Sequence, residues 1–282
     1  MIHIHLNLKR FDIQKEFGGV NGIAKPQVWG SKIVGYIERE LKKIKEDYED
    51  VEFTVYFPEA HLINAISTQM DIDILNIGCQ SVYREDTSLK GNFGAFTTHR
   101  TANSMKQLGV ASTIIGHLEE RLDKKGVLSK AGIADFSSIN SLFHEEIISA
   151  QKAGLSVLYC IGETLEERDI WQEVLENQLR IALEGVDLSN VVIAYEPVWA
   201  IGPGKTPPTS NQVKEVIDFI KNIYPELDVI YGGGLKMDNA SDLAAIDTLD
   251  GGLIALTRFT GEIGFYPDEY IQIIKEFLSN KR

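Results

Sequence analysis

Short apolar runs alternate with longer amphipathic segments along almost the whole chain. An apolar run bounded by turn residues is typical of a buried strand, and a 3.6-residue apolar period indicates a helix. The runs predict eight strands, at residues 2–8, 51–57, 74–78, 112–115, 155–161, 191–195, 229–231 and within 250–256. Helices are predicted at residues 31–48, 166–184, 212–223 and 267–278, with one more ending near residue 153. The polar stretch 123–138 precedes that helix, and no element is predicted within it.

Strands and helices that alternate in this way predict a parallel sheet with crossover helices, an α/β fold. Eight such units favour a closed (β/α)8 barrel over an open doubly wound sheet, and one barrel domain can account for all of residues 1–282. In such a barrel the active site lies at the carboxyl ends of the strands. Lys9, His117 and Glu196 all follow predicted strands, so we expect them to meet there.

Composition excludes some classes of function. The chain has 282 residues, of which 44% are hydrophobic and 24% are charged, and both values are ordinary for a globular protein. The formal net charge of −13 argues against nucleic acid and acidic membranes as partners. An anionic substrate would therefore need local positive potential.

Cysteine usage and the lack of targeting features favour a cytoplasmic protein. Cys79 and Cys160 lie in or beside apolar runs, so we expect buried free thiols. No Cys or His spacing typical of metal ligands is present, so neither a metal nor a cofactor is expected. The first residues do not resemble a signal peptide, and no apolar run reaches the roughly 18 residues of a membrane span.

The chemistry is concentrated after the sixth predicted strand. That strand ends at Glu196, and Pro197 cannot continue the ladder. The following segment contains glycines that can absorb backbone rotation, together with Trp199 and Ile201, which a closing flap could bury. A carboxylate under such a flap loses water and becomes a better base. The alternative is a salt-bridged glutamate followed by an ordinary loop.

A carboxylate, an imidazole and a lysine around one cavity suit proton transfer next to a carbonyl group. Taken singly, each residue has a simpler interpretation. His117 could be a hydrogen-bonded histidine near a helix start, Lys9 a solvated strand end, and Asn7 a turn former.

Several motifs together resemble the triosephosphate isomerase family. Residues 194–205 resemble its catalytic-glutamate and lid segment almost position by position. The other matching segments, which extend the resemblance from about residue 7 to residue 252, are Asn7-Leu8-Lys9, Gly94-Ala95-Phe96-Thr97, Gly116-His117 with Glu119 and Arg121, Cys160-Ile161-Gly162-Glu163, and Tyr231-Gly232-Gly233.

The resemblance implies a TIM barrel that interconverts glyceraldehyde 3-phosphate and dihydroxyacetone phosphate through an enediolate. It implies that Glu196 is the base, that neutral His117 is the electrophile and that Lys9 fixes the substrate anion; this family is itself a standard example of neutral-histidine and lid chemistry. Asn7 and Glu119 would orient the site, and Thr97 would cross the interface of a homodimer. The implied substrate contacts are Asn7, Gly202, Gly233, Gly234 and Leu256, and the implied lid is Pro197, Val198, Trp199, Ala200, Ile201, Gly202, Pro203, Gly204 and Lys205.

Departures from the family pattern cluster near the expected phosphate site. Ile254 to Arg258 stand where the family has a Gly-Gly pair, and Gly234 replaces a serine. Leu118 replaces another serine, and Glu120 replaces an arginine, so another cation must compensate. Pro203 is unusual in the lid, and segments near residues 11–27, 124–136 and 258–266 look like insertions.

With these departures, the sequence is compatible with more than one substrate. The Leu256 N–H could still donate while Arg258 supplies charge, the site could accept a longer sugar phosphate, or the loop could have drifted with its backbone path preserved. The alternatives to a triose phosphate isomerase are a paralogous isomerase of a four-carbon ketose phosphate, a barrel that binds a sugar phosphate without turnover, and a lyase that eliminates phosphate from the enediolate.

Overall fold

Eight parallel strands form a closed barrel in which each strand pairs with its sequence neighbours, and β8 pairs with β1. The computed structural model describes residues 1–202 and 204–281, and Pro203, predicted as part of the lid, lies outside the described residues. The strands are β1 (Ile2–Asn7), β2 (Val51–Phe57), β3 (Asn76–Cys79), β4 (Ser112–Ile115), β5 (Ser156–Ile161), β6 (Val191–Tyr195), β7 (Asp228–Tyr231) and β8 (Gly251–Ile254). The predicted (β/α)8 barrel is confirmed, and the bounds of β2, β4 and β6 agree with the sequence-based prediction.

Helices cover the outside of this barrel. They are α1 (Pro26–Asp47), α2 (Glu59–Thr68), α3 (Ala102–Leu108), α4 (Leu118–Lys130), α5 (Ser137–Lys152), α6 (Trp171–Ala182), α7 (Ser210–Ile223), α8 (Ala240–Ala244) and α9 (Pro267–Asn280). The sequence did not predict α2, α3 or α8. It also missed most of α4, which occupies much of the polar stretch 123–138. This helix contains no buried residue, so it lacks the apolar period by which a helix is recognised.

Alternation along the strands separates two apolar clusters. Outward-facing residues such as Ile4, Leu6 and Phe53 pack against the helices in the larger cluster. A smaller cluster fills the interior of the barrel with Tyr56, Ile114, Leu158, Cys160, Ala194, Ile230 and Leu253. Both cysteines are buried and free, as predicted.

The strand register brings residues from distant parts of the chain to one rim. Asn7 is level with Tyr56 at the end of β1 and β2, and Tyr195 is level with both Ile161 and Tyr231. Residues that directly follow these strands therefore lie together at the carboxyl end of the barrel. Within the described ranges, none of the helices combines the length and apolarity needed to cross a membrane.

Candidate active site

Glu196 follows β6 and points into the barrel, where only 2% of the residue is exposed. Its Oε2 accepts a hydrogen bond of 2.8 Å from the backbone N–H of Leu118. Burial raises the pKa of Glu196 to about 7, although the Leu118 N–H and the charges of Lys9 and Arg121 act in the opposite direction. A carboxyl group with such a pKa is half ionised near neutral pH and is suited to accept and return a proton.

His117 caps the amino end of α4. Its Nδ1 accepts the backbone N–H of Glu119 at 3.3 Å, which leaves the proton of the neutral ring on Nε2. Nε2 lies 3.4 Å from Oε1 of Glu196. Burial, together with the charge of Lys9, lowers the pKa of His117 to about 4. The ring is therefore neutral, and its contact with Glu196 is not an ion pair.

Lys9 stands just beyond β1 in a left-handed backbone conformation, with φ of 42°. This conformation is strained for a residue with a side chain. Two hydrogen bonds hold it: the Lys9 N–H donates to Asn7 Oδ1 at 3.0 Å, and Gln80 Nε2 donates to the Lys9 carbonyl at 3.0 Å. Gln80 also donates to Asn7 Oδ1 at 3.2 Å. Sequence reasoning overlooked Gln80, whose only signal was its position directly after the third strand.

The first part of the lid is anchored to a buried carboxylate that sequence reasoning did not assign to the site. Oε1 of Glu163, which is fully buried, accepts hydrogen bonds from Trp199 Nε1 at 2.8 Å and from the Tyr195 hydroxyl at 3.0 Å. The same oxygen lies 2.7 Å from Arg168 Nη1. The available signal was the match of residues 160–163 to the family.

The rest of the lid is more open. Val198 to Ala200 form a single 3-10 turn. Gly202 and Gly204 have φ angles of 123° and 76°, which only glycine adopts without strain, and both are exposed, as is Lys205. Trp199 is thus anchored by a hydrogen bond, whereas Gly202, Gly204 and Lys205 are exposed.

Glu120 stands where the family has an arginine, and Lys124 supplies a positive charge next to it. Its Nζ lies 2.7 Å from Oε1 of Glu120 and 3.4 Å from Oε1 of Glu146. The other oxygen of Glu120 accepts the N–H of Gly116, directly before His117, at 3.0 Å. This cluster, Glu120–Lys124–Glu146, supports the turn that places the imidazole.

Among the described residues, unpaired backbone donors lie beyond β7 and β8, where the resemblance to the family places the phosphate. In the part of the chain that the structure describes, the N–H groups of Gly233, Gly234 and Leu256 have no hydrogen-bond partner. Gly232 must remain glycine because a Cβ there would come within 2.9 Å of Glu196 Cγ. Unpaired backbone N–H groups of this kind are the donors that an anion cradle requires.

Arg258 does not contribute a free charge to this cradle. Its guanidinium pairs with Glu269, with Nε 2.9 Å from Oε1, and it lies over the Tyr266 ring at 4.0 Å from the centroid. The neighbouring Thr257 and Arg258 N–H groups both donate to the Gly264 carbonyl, which closes a turn over residues 258–264. Arg258 is therefore part of that turn.

Two predicted site residues lie apart from the others. The side chain of Glu119 is 89% exposed, and its carboxylate is 4.0 Å from His117 Nδ1. Only its backbone N–H takes part in the site. Thr97 is exposed on the loop between β3 and α3, so within one chain it does not reach the cavity.

Sequence comparison identifies the family. The family model for triosephosphate isomerase matches residues 31–275. A triosephosphate isomerase from Syntrophotalea carbinolica is 32% identical over 250 residues, which cover 84% of this chain and 89% of that protein. A triosephosphate isomerase from Prochlorococcus marinus subsp. pastoris is also 32% identical, over 78% of this chain and 84% of that protein.

The fold agrees with this assignment. The crystal structure of triosephosphate isomerase from Bartonella henselae superposes with a TM-score of 0.69 and covers 98% of this chain and 99% of that one. At 24% sequence identity this likeness concerns the fold alone. From the matched family model and the two relatives, the chain belongs to the triosephosphate isomerase family.

Proposed function

We propose that this protein is an aldose–ketose isomerase that interconverts glyceraldehyde 3-phosphate and dihydroxyacetone phosphate. The observation that carries the proposal is the pair formed by Glu196 and His117 at the carboxyl rim of the barrel. A buried carboxyl group with a pKa near 7 lies 3.4 Å from a neutral imidazole whose Nε2 carries the proton. Family membership supports the same reaction.

The two side chains divide the chemistry between carbon and oxygen. Glu196 takes a proton from the carbon next to the carbonyl group, while the Nε2–H of His117 donates to the carbonyl oxygen and stabilises the enediolate. Glu196 then returns the proton to the adjacent carbon. The positive charge of Lys9 favours the anionic substrate and the developing negative charge on oxygen.

The phosphate group is proposed to bind the free N–H groups of Gly233, Gly234 and Leu256, with Gly202 added when the lid closes. Such a cradle of backbone donors binds an anion without a dedicated charged side chain. Asn7 fixes the backbone of Lys9, and in this scheme Glu119 acts through its backbone N–H on His117.

A second candidate, a four-carbon ketose phosphate, is favoured by one specific observation. Ala255 and Leu256 replace the glycine pair, and Arg258 is tied to Glu269. A phosphate would therefore meet different side chains beyond β8, and a longer sugar phosphate is the alternative that this departure favours. The proton-transfer residues would serve this substrate equally well.

The test is turnover of both triose phosphates by purified protein, with Glu196→Gln and, as a control, Glu145→Gln at an exposed position of α5. We expect a kcat/KM of about 10⁶ M⁻¹s⁻¹ or more, reduced by orders of magnitude only in Glu196→Gln. A rate many orders lower that still depends on Glu196 would favour the four-carbon substrate, to be tested in a panel of ketose phosphates. Full activity of Glu196→Gln would overturn both assignments.

Two further outcomes distinguish the remaining alternatives. Thermal stabilisation by a sugar phosphate without turnover of any candidate would indicate a binding barrel. Release of inorganic phosphate in excess of isomerised product would indicate a lyase.

We also propose that residues 1–282 form one domain and that two copies form a homodimer through the loop that carries Thr97. In support, Leu89 and Phe93 on this loop are 101% and 86% exposed, and apolar residues so exposed are typical of an interface. Light scattering of the wild type should give a dimer, and Thr97→Arg should shift it towards monomer.

The buried free thiols Cys79 and Cys160 support a cytoplasmic location, which cell fractionation would test.

A further inference from the structure

A second group of functional side chains lies at the opposite, amino-terminal end of the barrel. His3 and His5 alternate along β1 and so face the interior, and Glu52 on β2 is the register partner of His3. His3 is 5% exposed and His5 is 2% exposed. One ligand atom from each of these three residues lies within 4.8 Å of the other two.

The hydrogen bonds around His5 fix where its free lone pair points. The Ser112 hydroxyl donates to the Ser156 carbonyl at 3.2 Å, so at 3.1 Å it accepts from the Tyr56 hydroxyl. Because the Tyr56 hydroxyl donates its proton to Ser112, its oxygen accepts the Nδ1–H of His5 at 2.9 Å. Nε2 of His5 is then an unprotonated acceptor, and it is buried without a partner among the described residues.

His3 is oriented in a matching way. Its Nε2 donates to Oδ2 of Asp228 on β7 at 2.8 Å, and its Nδ1 is buried without a hydrogen-bond partner in the described chain. Nδ1 lies 3.5 Å from Oε2 of Glu52. Metal-binding histidines commonly donate one ring N–H to a carboxylate and direct the other nitrogen towards the ion. His3 has this arrangement, with Nδ1 close to the ligand atoms of His5 and Glu52.

We propose that His3 Nδ1, His5 Nε2 and Glu52 form a binding site for a divalent transition metal of the zinc class. Two ligand atoms on a tetrahedral Zn²⁺ with bonds of about 2.1 Å lie about 3.4 Å apart, which is close to the 3.5 Å between His3 Nδ1 and Glu52 Oε2. Two imidazoles, one carboxylate and a water molecule complete such a site. The side chains of Glu52 and Asp228 are 32% and 36% exposed, so an ion can enter from the solvent.

A proton is the competing occupant. Burial alone would lower the pKa of His3, but its hydrogen bond to Asp228 and the charges of Asp228 and Glu52 raise it to about 9. His5, in contrast, is neutral because burial and the charge of His3 lower its pKa to about 3. Lys221 faces the group from α7, 3.9 Å from Oδ1 of Asp228. Ligation of a metal requires His3 Nδ1 to be unprotonated, so the ion competes with a proton for this atom.

The site would act on stability rather than on the proposed isomerase reaction, with which it shares no residue. A bound ion would join β1 to β2 directly and to β7 through Asp228. Since β7 is remote in sequence from β1 and β2, the ion would strengthen closure of the barrel.

The experiment measures Zn²⁺ and Co²⁺ binding to the full chain after chelator treatment, by calorimetry and by the visible absorption of tetrahedral Co²⁺. We compare wild type with His5→Gln, Glu52→Gln and Asp228→Asn. The matched control is His61→Gln, because His61 is also buried and paired with a carboxylate, 3.0 Å from Asp12, but lies on α2 without a second histidine.

We expect one equivalent of metal and a rise in Tm for wild type and His61→Gln. Loss of a ligand should weaken binding by about 100-fold, and Asp228→Asn should weaken it by about 10-fold to 100-fold. Unchanged binding in both His5→Gln and Glu52→Gln, or no binding by wild type, would overturn the proposal. If those variants fail to fold, the anomalous difference map of Co²⁺-soaked wild-type crystals decides, by a peak between His3 and His5 or its absence.

Discussion

The backbone N–H of Leu118 holds Oε2 of Glu196 at 2.8 Å. The family has a serine at this position, whose hydroxyl leucine cannot replace. A backbone donor does not depend on the side chain, so the carboxylate keeps one fixed contact in the resting site. Burial and this donor act on the pKa of Glu196 in opposite directions, and burial prevails.

Activity should fall as the pH falls below about 7. Glu196 must be ionised to act as a base, and burial raises its pKa to about 7. Substrate phosphate itself titrates near pH 6, so the carboxyl group is best followed directly, by ¹³C NMR of free protein. The Glu196 resonance, assigned by its loss in Glu196→Gln, should titrate near pH 7. A midpoint near the ordinary value of 4.5 would contradict the desolvation argument.

His117 should remain neutral, with its proton on Nε2, throughout the active pH range. Burial and the charge of Lys9 lower its pKa to about 4, and Nδ1 is occupied as an acceptor. ¹⁵N NMR of the imidazole should show no protonation between about pH 5.5 and 8. His117→Gln should reduce kcat by about 10²-fold to 10⁴-fold. Protonation near the ordinary value of 6.5 would contradict the neutral electrophile.

Glu163→Ala should destabilise the protein by about 3–5 kcal/mol, since it leaves partly buried Arg168 without its carboxylate. It also removes the acceptor of the Trp199 N–H, so the lid should become more mobile. Urea unfolding measures the first effect, and tryptophan fluorescence follows the second. The control is Glu145→Ala, which breaks an exposed pair with Arg84 at 3.6 Å and should cost less than about 1 kcal/mol. An equal loss of stability in the two variants would contradict the argument that burial makes the Glu163–Arg168 pair stronger than the Glu145–Arg84 pair.

Stability should decrease from mildly acidic to alkaline pH because of Glu146. Burial and the charge of Glu120 raise its pKa to about 8, from an ordinary value of 4.5. The folded state therefore holds a proton more tightly than the unfolded state, and this stabilisation is complete below pH 4.5 and lost as the pH rises through 8. Glu146→Gln should flatten the decline in the free energy of unfolding, measured in urea at about pH 5, 7 and 9. An unchanged slope would mean that Lys124 keeps Glu146 ionised.

Lys9 and Arg258 should differ sharply in their importance for the substrate anion. Arg258 is engaged by Glu269, so Arg258→Gln should change KM by less than about 3-fold, which corresponds to under about 1 kcal/mol. Lys9→Met should lower kcat/KM by about 10²-fold or more, because it removes the positive charge next to Glu196 and His117. Steady-state kinetics of both variants provides the measurement. A large rise in KM for Arg258→Gln would place that guanidinium on the phosphate.

The sequence predicted the residues at the carboxyl rim of the barrel better than it predicted the outer helices and the anchoring side chains. Glu196, His117 and Lys9 each follow a strand with a strong apolar signal, and eight parallel strands leave only one rim on which they can meet. Helices α2, α3 and α8 were missed because they are short, and α4 because it is exposed and polar. The anchoring roles of Gln80 and Glu163 were also missed, since a side chain that acts by hydrogen bonds to distant residues leaves no local pattern.

The sequence by itself determined the class of fold and the family, and it singled out Glu196, His117 and Lys9 as candidates for proton transfer, because periodicity and local motifs are properties of contiguous segments. Only the tertiary structure decided the rest. It decided that Arg258 pairs with Glu269, that Lys124 lies between Glu120 and Glu146, and that Glu52 joins His3 and His5. Each of these contacts, like the burial that raises one pKa and lowers another, depends on how the strands are registered and how the loops cross the rim. Those distances and that desolvation arise only when the barrel closes.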